Sequence, residues 1–195
     1  DEEVPDLSNF ESAPVECENY RGVESAPDAL AIIRSYIDNG WLQEYYSFQA
    51  LEEGVGGRPV LNKFACISKI RPDGSRKLRI IMDSKRSGVT EASRKQYRAE
   101  LPRQTDICTS FLELQSGKTV AEIITIPILD AMEAYWQIRL SPSERRFYCA
   151  KLAGNFVAYN RTAQGSRGAP LSWTIIFGMI SRCRLSVLID PIVPG

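Results

Sequence analysis

The sequence contains no histidine. That absence removes a His general base, a Ser-His-Asp triad and a His-ligated metal. Any catalysis must then use carboxylates, Lys, Tyr or Cys, or metal ions held by oxygen ligands. The five cysteines, Cys17, Cys66, Cys108, Cys149 and Cys183, are dispersed, with no C-x-x-C pair. An odd, scattered set argues against a zinc module or a disulfide scaffold and fits a reduced intracellular protein. No apolar run approaches the ~18 residues that a membrane span requires, and no basic segment followed by an apolar stretch marks a secretory signal. There is no internal repeat, and no two aspartates adjoin anywhere in the 195 residues. That length suffices for one domain with its own core, or for part of a larger one.

Formal net charge is zero, but the charges are segregated. Residues 1–30 carry nine acids and one base, Arg21, whereas residues 63–103 carry twelve bases against four acids. A basic block of this density either faces phosphates or forms a solvated surface balanced by acids elsewhere.

Taken in order, residues 1–24 hold Pro5, Pro14 and many acids without apolar period, and read as a mobile acidic lead-in. Ser25-Ala26-Pro27-Asp28 reads as a capping box opening a helix with Leu30, Ile33 and Ile37 on one face; Asn39-Gly40 stops it. A second helical stretch is predicted from Trp41 to Leu51, ending at Gly54-Val55-Gly56-Gly57, with Trp41, Tyr45, Tyr46 and Phe48 as packing residues. Together they make residues 25–58 a helical N-terminal segment. Phe64–Ile70 and Lys77–Asp83 read as two strands about the turn Pro72-Asp73-Gly74-Ser75, where Pro presets φ and Gly permits a positive one. A helix is predicted over Asp106–Leu114, broken by Gly117. Ala131–Leu140 should bend into a short helix or turn that Pro142 ends. Two further strands, Arg145–Leu152 and Phe156–Tyr159, flank Gly154-Asn155 as a hairpin. Leu171–Leu185 reads as an apolar helix with Trp173, Ile176, Phe177 and Ile180 at helical spacing.

The chain is organised around Ile126–Trp173. An apolar run, Ile123 to Leu129, stops on Asp130, which reads as a buried strand delivering a carboxylate to a sheet edge. Taken alone, such an Asp is more often the N-cap of the next helix. Asp130, the aromatic Tyr135 five residues on, and the later Gln164-Gly165-Ser166-Arg167-Gly168-Ala169-Pro170 together resemble the catalytic palm of reverse transcriptases, over roughly residues 60–180. The resemblance implies an α+β fold of the right-hand type, with basic fingers over residues 59–120 and a partial palm over 121–190, leaving 191–195 as a tail. It is incomplete, because the family's Asp-Asp hairpin and thumb do not appear before Gly195. The activity implied is template-directed DNA synthesis at a primer end, with an RNA or DNA template and deoxynucleoside triphosphates as partners.

The resemblance also implies roles for individual residues. Asp130 and the backbone carbonyl of Ala131 would ligate Mg²⁺ or Mn²⁺, two ions in the complete enzyme, with Asp190 as a tempting but solitary further carboxylate. Tyr135 would lie under the incoming sugar and exclude a ribose 2′-hydroxyl. Gln164 and Gly165 would line the base-pair pocket, where a missing Cβ allows close approach. On the hairpin, Arg79 and Asp83 match the spacing of residues that close over the triphosphate, and Lys69 or Arg71 would supply the phosphate-binding base of the outgoing strand. The expected function is a retroelement reverse transcriptase fragment, inactive alone. The competing reading is a non-catalytic relic or nucleic-acid-binding module that keeps the polymerase shape.

Overall fold

The computed structural model describes residues 18–93, 103–116 and 130–188, without the side chains of Leu114 and residues 184–188. The first helix, α1, spans Pro27–Asp38. Its N-cap is Ala26, in an extended conformation and without a side-chain cap, so the expected capping box at Ser25 does not form. Proline is the reason: it disfavours helical ψ in the preceding residue, which forces the boundary onto Ala26 and puts Pro27 at the first helical position.

Trp41–Leu51 is not one helix. Leu42–Tyr45 forms strand β1, and α2 spans Phe48–Val55. The Ser47 hydroxyl accepts from the Ala50 N–H at 3.1 Å and fixes the later start, while Gly56 closes the helix in the left-handed region. β1 exists because it finds a partner far along the chain, Leu42 opposite Tyr159 and Tyr45 opposite Phe156. Of the four aromatics expected to pack here, Tyr46 is instead 80% exposed.

The basic hairpin forms as expected, with β2 at Leu61–Ile70 and β3 at Arg76–Asp83. Its turn is closed by Arg71 N–H to the Ser75 carbonyl (2.8 Å), and by the Asp73 carboxylate accepting from the Ser75 N–H (2.8 Å); Gly74 takes φ +79°. After β3 come the short α3 (Val89–Ala92) and α4 (Gln104–Ser116). Asp106 reaches back to the Arg103 N–H (2.8 Å), so the acid of the Leu101-Pro102-Arg103-Gln104-Thr105-Asp106 run is a helix-start residue. On α4, Ile107 is exposed and Phe111 half-buried. The strand expected before Asp130 lies outside the described residues, as does Asp190.

Beyond Asp130, a 3-10 turn at Ala134–Gln137 is followed by a second one at Pro142–Phe147. Pro142 therefore opens a helical turn as well as ending one, and Arg145–Tyr148 is not strand: β4 begins only at Cys149 and runs to Leu152. It turns into β5 (Asn155–Tyr159) through Ala153 and Gly154, both at positive φ (48° and 88°), since Leu152 already pairs with Asn155. That is the twist-matched two-residue loop, shifted by one from Gly154-Asn155. The last helix, α5, spans Ala169–Leu188. It runs three residues beyond Leu185, where the sequence reading ended it.

Among the described residues, five strands form one mixed sheet, ordered β1-β5-β4-β2-β3, in which β2 and β4 run parallel and the other pairs antiparallel. α1 packs on the sheet through Ala29 and Ile33, against Leu42, Phe64, Ile80, Met82, Val157 and Tyr159. Among the described residues no helix is long and apolar enough to cross a membrane. Residues 18–24, expected to belong to the lead-in, are pinned instead. Tyr20 N–H donates to the Phe64 carbonyl (3.0 Å), Asn19 bonds Phe64 N–H and the Lys151 carbonyl, and Val23 is fully buried.

The free edge of β3 meets the Gln164-Gly165 turn, where Met82 N–H donates to the Gln164 carbonyl at 3.0 Å. Gly165 has φ +107°, and a Cβ there would collide with the Met82 carbonyl oxygen. Strained backbone costs about 1–3 kcal/mol and a displaced strand adds to it. Gly165→Ala should therefore destabilise the chain by ~2 kcal/mol or more in urea unfolding. A loss under about 0.5 kcal/mol would mean that the turn does not sit against β3.

Candidate nucleotide and nucleic-acid site

The hairpin has two unlike faces. Phe64, Ile80 and Met82 point into the core. Lys63, Ala65, Ile67 and Lys69 of β2 stand on the other face, opposite Asp83, Ile81, Arg79 and Lys77 of β3. Lys69, Lys77 and Arg79 are exposed, and Ile67 is half exposed. Arg79 sits beside Ile67, with Lys69 one cross-strand pair further out on the same face. Arg71 lies in the turn, roughly 13 Å along the hairpin from Arg79 at the usual strand rise. Of the two candidates for the outgoing strand's phosphate base, Lys69 is thus the nearer to Arg79 along the ladder.

Asp83 ends β3 and its carboxylate is heavily engaged. It accepts from the Tyr20 hydroxyl at 2.6 Å and from the backbone N–H groups of Lys85 (3.0 Å) and Arg86 (3.3 Å). The Tyr20 bond first, helped by those amides and the Arg86 charge, holds the Asp83 carboxyl below its ordinary range. The same bond holds the Tyr20 phenol above its own. Asp83 is therefore placed as a latch that ties the N-terminal strap to the end of the hairpin.

The turn after β3 is gripped from two sides. Asn62, fully buried, donates to the carbonyls of Phe147 (2.9 Å), Cys149 (3.1 Å) and Val60 (3.3 Å). Its own carbonyl accepts from Ser87 at 2.6 Å. From the other side, Arg167 Nη1 donates to the carbonyls of Thr90 and Ser93, both at 3.3 Å. Arg167 lies two residues beyond Gly165, so the Gln164-Gly165 turn is bonded to β3 through Met82 and to the following segment through Arg167. Sequence reasoning missed Tyr20, Asn62 and Arg167. A lone amide inside the apolar strand Val60-Leu61-Asn62-Lys63-Phe64 was the available signal for Asn62.

Tyr135 is half-buried in the Ala134–Gln137 turn, beside the fully buried Trp136. The chain leaving this turn pairs with the chain approaching Gln164. Thr162 N–H donates to the Ile138 carbonyl (2.9 Å) and Leu140 N–H to the Asn160 carbonyl (3.1 Å). Tyr135, Gln164, Gly165 and the end of β3 are thus drawn to one end of this ladder. Asp130 is exposed and Ala131 half-buried at the start of the same segment, while Arg71 stays at the hairpin tip.

The two pKa shifts of the latch have opposite signs of pH dependence. The Asp83 contribution is present above the ordinary carboxylate value of 3.8 and is lost as pH falls through its lowered one. The Tyr20 contribution is present below pH 10.0 and is lost as pH rises through its raised value. Tyr20→Phe should move the Asp83 carboxyl titration, followed by carbon NMR, upward toward 3.8. A wild-type Asp83 that already titrates at that ordinary value would rule out the latch.

No family profile matches the chain, and no curated protein matches it in sequence. Solved structures do match. One is the foamy viral protease-reverse transcriptase dRH in complex with ds DNA, which superposes with a TM-score of 0.59 at 14% identity, covering 90% of this chain and 26% of that one. The chain spans about a quarter of that protein's length and is similar to it in fold.

Proposed function

We propose that this chain is the fingers and partial palm of a retroelement RNA-directed DNA polymerase, binding a primer–template and an incoming deoxynucleoside triphosphate. One observation carries the reading. The Gln164-Gly165 turn is fastened by its backbone to the base of a basic hairpin, Met82 N–H to the Gln164 carbonyl at 3.0 Å. The fold match over 90% of the chain agrees with it.

In this reading Arg79 and Lys69, exposed on one hairpin face, receive the triphosphate. Arg79 donates in a planar fork and Lys69 acts as a point charge. Gly165, with no Cβ, lets backbone approach the nucleotide beside Gln164. Tyr135 presents an aromatic ring to the sugar, offering a 2′-hydroxyl neither room nor acceptor, and so selects deoxynucleotides. Asp83 acts on this site through position, since its carboxylate is spent on Tyr20 and two backbone amides.

Mg²⁺ or Mn²⁺, when bound, would balance triphosphate charge and activate the attacking hydroxyl. Asp130 and the Ala131 carbonyl are oxygen donors of the right kind. Among the described residues, however, they bring a single carboxylate, which does not hold two dications. Residues 1–195 alone are therefore expected not to extend a primer on an RNA template with Mg²⁺ or Mn²⁺. Extension that disappears in Asp130→Asn would overturn that expectation. The same donor set favours a second reading, a nucleic-acid-binding module of polymerase-like shape.

Both readings place phosphates on the hairpin, and salt dependence tests that placement. Log affinity for an RNA–DNA hybrid should fall linearly with log salt, by ~0.9 per phosphate neutralised. Replacing Lys69, Lys77 and Arg79, which share the outer face, with Ala should flatten the slope by about two to three. An unchanged slope would make the hairpin an ordinary solvated surface.

A further inference from the structure

The strap of residues 18–25 also walls a surface cleft of about 530 Å³ against the β4–β5 turn, with Tyr20, Arg21 and Lys151 in its lining. That volume lies within the ~300–1,000 Å³ of small-ligand pockets. Its frame is fixed. Asn19 Nδ2 donates to the Lys151 carbonyl (2.7 Å) and Asn19 Oδ1 accepts the Phe64 N–H (2.8 Å), so one amide bridges β4 to β2 just past the end of their ladder. Leu61 pairs with Cys149 and Asn62 with Ala150. Strand alternation then puts Lys63 and Lys151 on one face, the face on which Ala65, Ile67 and Lys69 follow. Lys151 therefore widens the basic face of the hairpin onto β4. Tyr20 lies on it too: its hydroxyl reaches Asp83, the pairing partner of Lys63, and the Lys63 ammonium stands 5.9 Å from the ring centre.

The cleft thus offers an aromatic residue, 39% exposed, beside two cations. Among the described residues, neither Arg21 nor the Lys151 ammonium has an ion-pair partner. Of the two acids in the lining, Glu24 is occupied, accepting from Asn19 Nδ2 (3.0 Å) and from the Ala153 N–H (3.2 Å). Glu18 is left as the opposing charge. A ring set among cations suits an unpaired nucleotide, because every base has a π-face to lay on it. In a duplex those faces are already covered by the neighbouring bases.

We propose that this cleft takes one nucleotide of a single strand, its base on the Tyr20 ring and its phosphate between Arg21 and Lys151. Lys63 joins the cleft to Lys69, Lys77 and Arg79, with Lys63 and Lys69 ~20 Å apart along β2. The strand is therefore the unpaired overhang of a primer–template whose paired part lies on the hairpin. The assignment deepens the nucleic-acid reading above and rests on it.

The test compares the affinity of the 195-residue chain for two RNA–DNA hybrids, one blunt and one with a tail of about eight uridines on its RNA strand. The tail should tighten binding about fivefold at low salt, the worth of one stacked base. Arg21→Ala combined with Lys151→Ala should erase that gain and leave blunt-hybrid binding within about twofold. Tyr20→Leu should erase it as well. Tyr20→Phe, which gives up the Asp83 bond and keeps the ring, should preserve it. Equal binding of tailed and blunt hybrids by the wild type, a gain that survives the Ala and Leu variants, or an Ala variant that weakens both hybrids alike would overturn the assignment and leave the nucleic-acid reading standing. Binding of neither hybrid would sink that reading, and this assignment with it.

Discussion

Trp136 lies between two other rings. Its indole stacks on Trp41 at 4.9 Å and 12°, and on Tyr159 at 5.6 Å and 7°, with Tyr36 tilted against it at 4.6 Å. Those three partners come from β5, the end of α1 and the approach to β1. One side chain thus fixes the Ala134–Gln137 turn to the sheet and to the helix that covers it. Each aromatic pair adds about 0.5–1.5 kcal/mol beyond area burial. The consequence for the site is positional: Tyr135 is the neighbour of an anchored residue, so its ring is carried by a turn that cannot drift from the sheet. Burial first, and the Glu133 charge second, push the Tyr36 phenol up to about 12, keeping it neutral beside the stack.

Where rings fix the turn, amides and guanidinium fix the hairpin. Asn62 satisfies three carbonyls and accepts from Ser87, replacing sheet bonds that β2 cannot make after it parts from β4 at Asn62. Losing such a buried hub leaves several polar groups unpaired, each costing ~1–3 kcal/mol. Arg167 and Asp83 complete the arrangement on the exposed side, so the segment following β3 is held by two side chains from distant parts of the sequence, Asn62 and Arg167, and by the adjoining Asp83.

The features legible in the sequence are those whose chemistry is local. The Pro72–Ser75 turn, the Gly56 stop of α2 and the existence of α1, α4 and α5 follow from residues that act on their own neighbours. β1 was illegible because nothing in Leu42–Tyr45 outweighs the helical reading until Phe156–Tyr159 is available to pair with it. The same reason hides the contact of Gly165 with Met82: the sequence shows a glycine in a turn, and only the fold shows which carbonyl requires it. Asp83 illustrates the converse. Spacing from Arg79 suggested a nucleotide contact, and the carboxylate also accepts from Tyr20, a residue in a stretch that composition alone would set aside as lead-in.

The sheet's pairing order also governs how the chain can assemble. β2 and β3 close on each other through a five-residue connection and can form within microseconds of being made. β1 must wait for β5, and the parallel contact of Leu61 with Cys149 encloses everything between them. Closing loops of that length costs entropy before any contact repays it, which slows folding relative to the local hairpin. During synthesis the basic hairpin can therefore form and receive α1 on Phe64, Ile80 and Met82 while β1 still lacks its partner strand. The edge of β1 stays unpaired until Phe156–Tyr159 has been made.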